Sequence, residues 1–141
     1  MNKLKRMLKR HEGKRHFAYR CSEGKLTIGV GRNIDEDGGI GLSEEEIDYL
    51  LDADVVRCLR ELSVFEWFSE LDEVRQDAMV SLCLNLGLTS LRGFKKALQA
   101  MKYNLYEEAA TEFLDSRWAS QVGYRANELA EMIRTGDYPE E

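Results

Sequence analysis

The segment Glu12-Gly13-Lys14-Arg15-His16-Phe17-Ala18-Tyr19-Arg20-Cys21-Ser22-Glu23-Gly24-Lys25-Leu26-Thr27-Ile28-Gly29-Val30-Gly31-Arg32-Asn33 decides how this chain reads. It holds two short runs, 16–20 and 25–30, in which Phe17, Tyr19, Leu26, Ile28 and Val30 alternate with polar or small residues. Ser22-Glu23-Gly24 separates them, so a β-hairpin is expected. Ahead of the hairpin, Leu4, Met7 and Leu8 share one face of a helix over 2–11, with Gly13 placed to stop it. Behind it, 33–42 is an acidic, glycine-rich loop.

Beyond the loop the apolar period becomes helical. Ser43 and Glu46 have the spacing of a capping box, and Ile47, Leu50, Leu51, Val55, Cys58, Leu59 and Leu62 hold the period to residue 62. A short piece at 65–68 leads into a helix over 71–86 ended by Gly87. The second half of that helix, Ala78 to Leu86, is apolar nearly all round, which predicts a helix buried inside a bundle. Helices near 93–102 and 105–115, a turn at 116–122 and a last helix to 134 complete the chain. The expected fold is α+β: a small β-hairpin lobe at about 14–42 and a larger helical lobe at about 43–135, with a cleft where they meet. All 141 residues are expected to form one domain, long enough to bury a real core.

Composition excludes several classes. No apolar run approaches the ~18 residues of a membrane span. The basic start has no apolar stretch behind it, so a secretory signal is not expected. Cys21, Cys58 and Cys83 are odd in number and form no CxxC pair, which points to reduced thiols rather than a disulfide frame or a zinc site. Residues 1–20 carry eight Lys/Arg against Glu12 alone, whereas 33–54 hold nine acidic residues and no basic one. An overall charge of −6 argues against a nucleic-acid binder, and the basic first helix reads as a solvated face balancing acidic neighbours. No apolar heptad suggests self-association, so a monomer is expected.

Several motifs fail on geometry. His11 and His16 are five apart, where a zinc helix needs four, and Gly13 interrupts it. Gly29-Val30-Gly31 lacks the third glycine and following helix of a dinucleotide site. Neither a metal nor a cofactor is therefore expected. One pattern stands closer: Asn33, Asp35, Asp37, Gly38, Ile40 and Glu44 reproduce calcium-loop spacing. The preceding segment reads as strand rather than the entering helix of such a loop, and Glu44 sits in a helical first turn, where a carboxylate is favourable without metal.

Glu12 ends the first helix, where the negative end of the helix dipole favours a carboxyl that keeps its proton. Cys21 and Thr27 fall at the start and middle of the hairpin, so both can face a cleft opposite Glu12. The spacing Glu12-x8-Cys21-x5-Thr27 resembles the Glu-x8-(Asp/Cys)-x5-Thr triad of the T-even phage-type lysozymes, glycoside hydrolase family 24. Tyr19 and Thr27-Ile28-Gly29-Val30-Gly31-Arg32-Asn33 resemble the flanks of that triad. So do Leu42-Ser43-Glu44-Glu45-Glu46, Leu71-Asp72-x-Val74-Arg75, Asn85-Leu86-Gly87, Gly93-Phe94, Ser116-Arg117-Trp118, Gln121, Arg125-Ala126 and Arg134-Thr135-Gly136, in the same order along nearly the whole chain.

The resemblance implies a lysozyme-like fold and hydrolysis of the β-1,4 bond between N-acetylmuramic acid and N-acetylglucosamine in peptidoglycan. Glu12 would protonate the leaving oxygen, and Cys21 and Thr27 would place or activate water with inversion at the anomeric carbon. Arg125 would orient Glu12, and Arg32, Asn33 and Asn85 would line the substrate. Cys21 stands where other members carry aspartate, and base, water placement and covalent nucleophile are all open to a thiol; the inverting members favour the first two. Arg20 and Lys25 are candidates for lowering its pKa. Trp67 and Trp118 are expected in the core. The resemblance further implies an endolysin held in the bacterial cytoplasm until a holin releases it to the wall. Competing readings are a non-hydrolytic peptidoglycan-binding domain, and weak membrane disruption by the basic first helix.

Overall fold

A computed structural model describes residues 1–140. The chain forms two compact units, Met1–Leu50 and the remainder from Leu51. Among the described residues, a small antiparallel sheet and eight helices make it α+β.

The first unit begins with α1, Asn2–Glu12, one residue longer than expected. Gly13 stops it at φ 79°, its N–H donating to the Lys9 carbonyl at 2.9 Å. β1 (Arg15–Arg20) pairs with β2 (Leu26–Gly29), and β2 pairs with β3 (Arg32–Asn33), in the order β1-β2-β3. The hairpin is thus a three-stranded meander; a third strand only two residues long is too short to show a period. Tyr19 faces Thr27 and Arg20 faces Leu26, whereas Arg15 pairs with Gly29, so β1 carries an irregularity between Arg15 and Tyr19.

The acidic loop is built on side chains that accept backbone protons. Asn33 Oδ1 accepts from the Asp35 N–H at 3.0 Å, and Asp35 Oδ1 accepts from the Asp37 N–H at 2.9 Å. Asp35 Oδ2 accepts from the Leu26 N–H at 2.9 Å, tying the loop to the start of β2. Gly39 lies so close that a Cβ would stand 2.6 Å from Asn33 Oδ1 and nearer still to the Asp35 carbonyl. At the end of the loop α2 (Glu44–Leu62) begins with the expected capping box: Ser43 Oγ accepts from the Glu46 N–H at 3.2 Å, and Glu46 Oε1 accepts from the Ser43 N–H at 2.9 Å. The same carboxylate takes both arms of Arg32, at 2.6 and 2.5 Å, and Arg32 also donates to the Gly41 carbonyl at 3.1 Å. Bidentate charge-assisted pairing of this kind fixes orientation as well as distance.

The second unit holds the rest of α2, a 3-10 turn at Phe68–Glu70, and α3 (Glu73–Leu86), α4 (Leu88–Leu91), α5 (Lys95–Lys102), α6 (Tyr106–Leu114), α7 (Arg117–Val122) and α8 (Tyr124–Thr135). Leu62, Met79, Leu82, Leu91, Met101, Phe113 and Ile133 are fully buried in its core. α3 buries Ala78, Met79, Leu82 and Cys83, but Leu84 is 41% exposed, so burial follows a stripe rather than the full circumference expected. Residues 116–122, expected as a turn, contain α7. Ser116 Oγ caps it, accepting from the Ala119 N–H at 3.1 Å while donating to the Phe113 carbonyl at 2.7 Å. Trp118 is in the core, edge-on to Phe94, and Trp67 packs partly buried against Phe65 at its margin.

Arg75 joins three helices of this unit. Its Nε donates to the Ile133 carbonyl at 2.6 Å and Nη2 to the Arg134 carbonyl at 3.2 Å, both in the last turn of α8. Nη1 meets Asp72, the cap of α3, at 3.0 Å, and the guanidinium lies 3.7 Å over the Tyr106 ring of α6. Gly136, in the left-handed conformation at φ 77°, leaves room for it: a Cβ there would stand 3.1 Å from Nη1.

Two outcomes are expected. Phe113→Ala removes the largest fully buried side chain and should cost about 3–5 kcal/mol in urea unfolding, through lost burial and the cavity left behind. Arg32 holds the Glu46 carboxyl down to about 2, with the Ser43 N–H adding to the effect. A carboxyl depressed on folding contributes stability above its unfolded value of roughly 4.3, and that contribution is lost as pH falls through the folded value. The melting-temperature advantage of the wild type over Glu46→Gln should therefore narrow steadily from pH 5 to pH 2.

Candidate active site

Glu12, Cys21 and Thr27 all belong to the first unit. Glu12 is the last residue of α1, and its side chain lies against the β2–β3 turn. A Cβ at Gly31 would stand 3.0 Å from Glu12 Oε2, and Gly31 has φ 72°, so space and backbone conformation both select glycine there. The last glycine of the Gly-Val-Gly triplet that fails as a nucleotide motif is thus the residue beside which the carboxylate rests.

Cys21 follows β1 directly, and the turn after it brings backbone donors round the sulfur. The turn closes through the Cys21 N–H to Lys25 carbonyl bond at 2.9 Å and the Gly24 N–H to Cys21 carbonyl bond at 2.8 Å. The N–H of Glu23, and next that of Lys25, hold the thiol below its ordinary pKa; desolvation opposes them, and the Thr27 hydroxyl adds a smaller lowering. Main-chain amides in a turn favour an anion in this way. The side-chain cations expected to do this work are engaged elsewhere. Arg20 donates to the Gly24 carbonyl at 3.0 Å, and Lys25 donates to the Asp37 carbonyl and carboxylate at 3.0 and 3.1 Å.

Thr27 is the only buried polar or charged residue among those described, with 4% of its surface exposed. Its hydroxyl donates to the Lys25 carbonyl at 3.0 Å; turned towards Cys21, the same single proton stabilises a thiolate. The structure therefore brings Cys21 and Thr27 together, and sets Glu12 against the turn that follows β2.

The remaining candidates are held by other contacts. Arg32 is committed to Glu46 and Gly41, and Asn33 gives its side-chain oxygen to the Asp35 N–H, leaving its amide group as a donor. Asn85, in the second unit, gives its oxygen to the Trp118 indole N–H at 2.5 Å rather than capping α3. Arg125 is an exposed residue near the start of α8, also in the second unit. Of the calcium-loop carboxylates, Asp35 is taken by backbone N–H groups, the Leu26 N–H foremost, which hold it below the usual carboxylate range, and Lys25 already neutralises Asp37.

The Glu12–Gly31 contact and the amide turn around Cys21 were not foreseen. Both rest on glycines and main-chain groups, whose sequence signal is only the punctuation Ser22-Glu23-Gly24 and Gly29-Val30-Gly31. The Arg32–Glu46 pair was hidden because Glu46 already had a role as capping residue. A separate cavity of about 630 Å3 between α5 and α6 is lined by Lys95, Gln99, Tyr103, Leu105, Glu108 and Thr111 among others, and by none of the candidates above.

Comparison with known proteins points the same way as the triad. The model of the phage lysozyme family matches residues 9–134. The chain is 26% identical to a probable T4-type lysozyme 2 of Dictyostelium discoideum, covering 99% of this chain and 98% of that protein. It is 29% identical to an endolysin of Acyrthosiphon pisum secondary endosymbiont phage 1, covering 91% of this chain and 86% of the other, and 33% identical to an endolysin of Salmonella phage P22, covering 76% and 75%. The matched span contains Glu12, the hairpin with Cys21 and Thr27, and every helix from α2 to the end of the core. The chain belongs to the phage lysozyme family.

Proposed function

We propose that this protein is a muramidase that cleaves the β-1,4 bond between N-acetylmuramic acid and N-acetylglucosamine in bacterial peptidoglycan, acting as a phage endolysin. The observation that carries the reading is the Cys21–Thr27 pair: a thiol held below its ordinary pKa beside a buried hydroxyl, at the spacing from Glu12 that the family triad requires. Glu12 acts as general acid, giving its proton to the leaving glycosidic oxygen. Cys21, as thiolate, takes a proton from the attacking water while Thr27 orients that water, and the configuration at the anomeric carbon inverts. A main-chain nest suits this role, because it raises the thiolate fraction without placing a side-chain cation where the sugar must pass.

Arg125 carries the acid-orienting role in this reading by resemblance to the family alone. Arg32 keeps its role at the sugar through the loop it anchors, and the free amide groups of Asn33 and Asn85 serve as donors to substrate. The enzyme acts as a monomer, is stored in the host cytoplasm, and reaches the wall after a holin-type partner opens the inner membrane. No helix among the described residues is long and apolar enough to cross a membrane.

Turbidity loss and new reducing ends from purified peptidoglycan test the assignment. Wild type should clear the suspension and Glu12→Gln should not; binding of walls without new reducing ends would replace catalysis with a binding module, and lysis of intact cells by Glu12→Gln would favour membrane disruption. Cys21→Ser should lose most activity. Cys21→Asp should keep it and shift the acid limb of the pH–rate profile downward, since a carboxylate ionises several units below a thiol; an unmoved limb would reduce Cys21 to water placement. Gly31→Ala should keep the helical content but lower kcat of order 100-fold, because displacing the Glu12 carboxylate misaligns the acid.

A further inference from the structure

Cys58 and Glu61 lie three residues apart on α2, on one face, and Cys83 on α3 meets them. Both cysteines are buried, at 0% and 2% exposure, while the Glu61 side chain is 35% exposed. One potential ligand atom from each of the three, the two sulfurs and a Glu61 oxygen, lie within 4.8 Å of one another, and Cys83 Sγ stands 3.9 Å from Glu61 Oε1. We propose that Cys58, Glu61 and Cys83 form a binding site for a thiophilic divalent cation of the zinc class, which clips α2 to α3 within the second unit.

The geometry is close to what such an ion needs. Tetrahedral zinc with sulfur ligands at about 2.3 Å and an oxygen at about 2.0–2.2 Å sets its ligand atoms roughly 3.5–3.8 Å apart, so the three groups need contract by at most about 1.3 Å. Two thiolates and a carboxylate carry three negative charges against the ion's two positive ones, and Arg57, 3.6 Å from Glu61, is shared with Asp54 at 2.7 Å, so the loaded site keeps part of a negative charge. Two sulfurs select against calcium and magnesium, which take oxygen ligands. The exposed side of Glu61 gives the ion its way in and leaves the fourth position to water.

Two thiols in a helical core are commonly no more than small apolar side chains. What distinguishes this pair is the Glu61 carboxylate, which accepts from the Cys83 thiol at 3.9 Å and lies within 4.8 Å of both sulfurs. Burial and then the neighbouring Cys58 push the Cys83 thiol up to about 12, so a metal must displace its proton. Binding then releases protons, and affinity rises with pH.

Cobalt titrated into the chelator-treated full chain, with a phosphine reductant present, tests the site. One Co2+ per chain should bring up a sulfur-to-cobalt charge-transfer band and tetrahedral visible bands that zinc bleaches. Cys21→Ser should leave both unchanged, and Cys58→Ser or Cys83→Ser should remove the charge-transfer band or shift it to lower intensity. Glu61→Gln, on the surface side, keeps the core intact and should weaken binding at least 10-fold, which covers the case of serine variants that fail to fold. The melting temperature of the wild type should climb with the logarithm of free Zn2+ and not with Ca2+. A wild type without the band, a band that survives in the Cys58→Ser/Cys83→Ser double variant, or a band lost in Cys21→Ser overturns the proposal.

Discussion

Arg75 spends the donors of one guanidinium where three helices begin, pass or end. The last carbonyls of α8 are acceptors without partners in their own helix, and they sit at the negative end of its dipole. Arg75 supplies both donors and charge to two of them, while Asp72 holds it at the start of α3 and Tyr106 gives it a flat face to lie on. A lysine could bring the charge but not the fork or the stacking plane. With α3 held in this way, Met79 and Leu82 join Phe113 and Ile133 in one hydrophobic core. The polar joint therefore specifies an arrangement that apolar burial then stabilises.

The first unit is organised on the opposite principle. Its described residues include a single buried polar group, Thr27, and no large apolar core. Its order comes from directed bonds between side chains and main chain: Asp35 to two amides, Asn33 to one, and Arg32 spread across Glu46 and Gly41. In the proposed reading this is a fitting support for chemistry, because each reacting group rests on backbone. Glu12 leans on Gly31, and the N–H groups of Glu23 and Lys25 lower the Cys21 thiol from its own turn. Main-chain dipoles cannot swing away as lysine and arginine side chains do, so little reorganisation is needed when charge develops.

The fold class was legible because its signals are periodic and local. The switch from period two to a helical period at Ser43, the capping box, and glycines at 13 and 87 each place an element boundary within a residue or two. What failed was short or long-range. β3 and α7 are too short to carry a period, and α7 depends on Ser116, whose capping role only the structure distinguishes from a turn. Leu84 was read as interior from apolarity alone, although a helix needs only one stripe to be buried. The candidate site was legible as residues but not as contacts. Leu71-Asp72-x-Val74-Arg75 and Arg134-Thr135-Gly136 looked like two separate marks of resemblance, yet they are the two sides of one joint. Asn85-Leu86-Gly87 and Ser116-Arg117-Trp118 are likewise one contact, through the indole and the carboxamide. Much of what ties this sequence to its family thus maintains the helical unit rather than the reaction.

The spacing of these contacts along the chain sets an order of events during synthesis. Every side-chain bond of the first unit spans at most 14 residues, so it can close soon after residue 46 leaves the ribosome. The partners of Arg75 lie 58 and 59 residues downstream. Until they emerge, α3 is an apolar helix with no bundle to enter, and the nascent second unit must wait with Met79 and Leu82 uncovered. The interval between those two moments is when this chain has most need of a chaperone, and a slow stretch of codons placed after α3 would lengthen it.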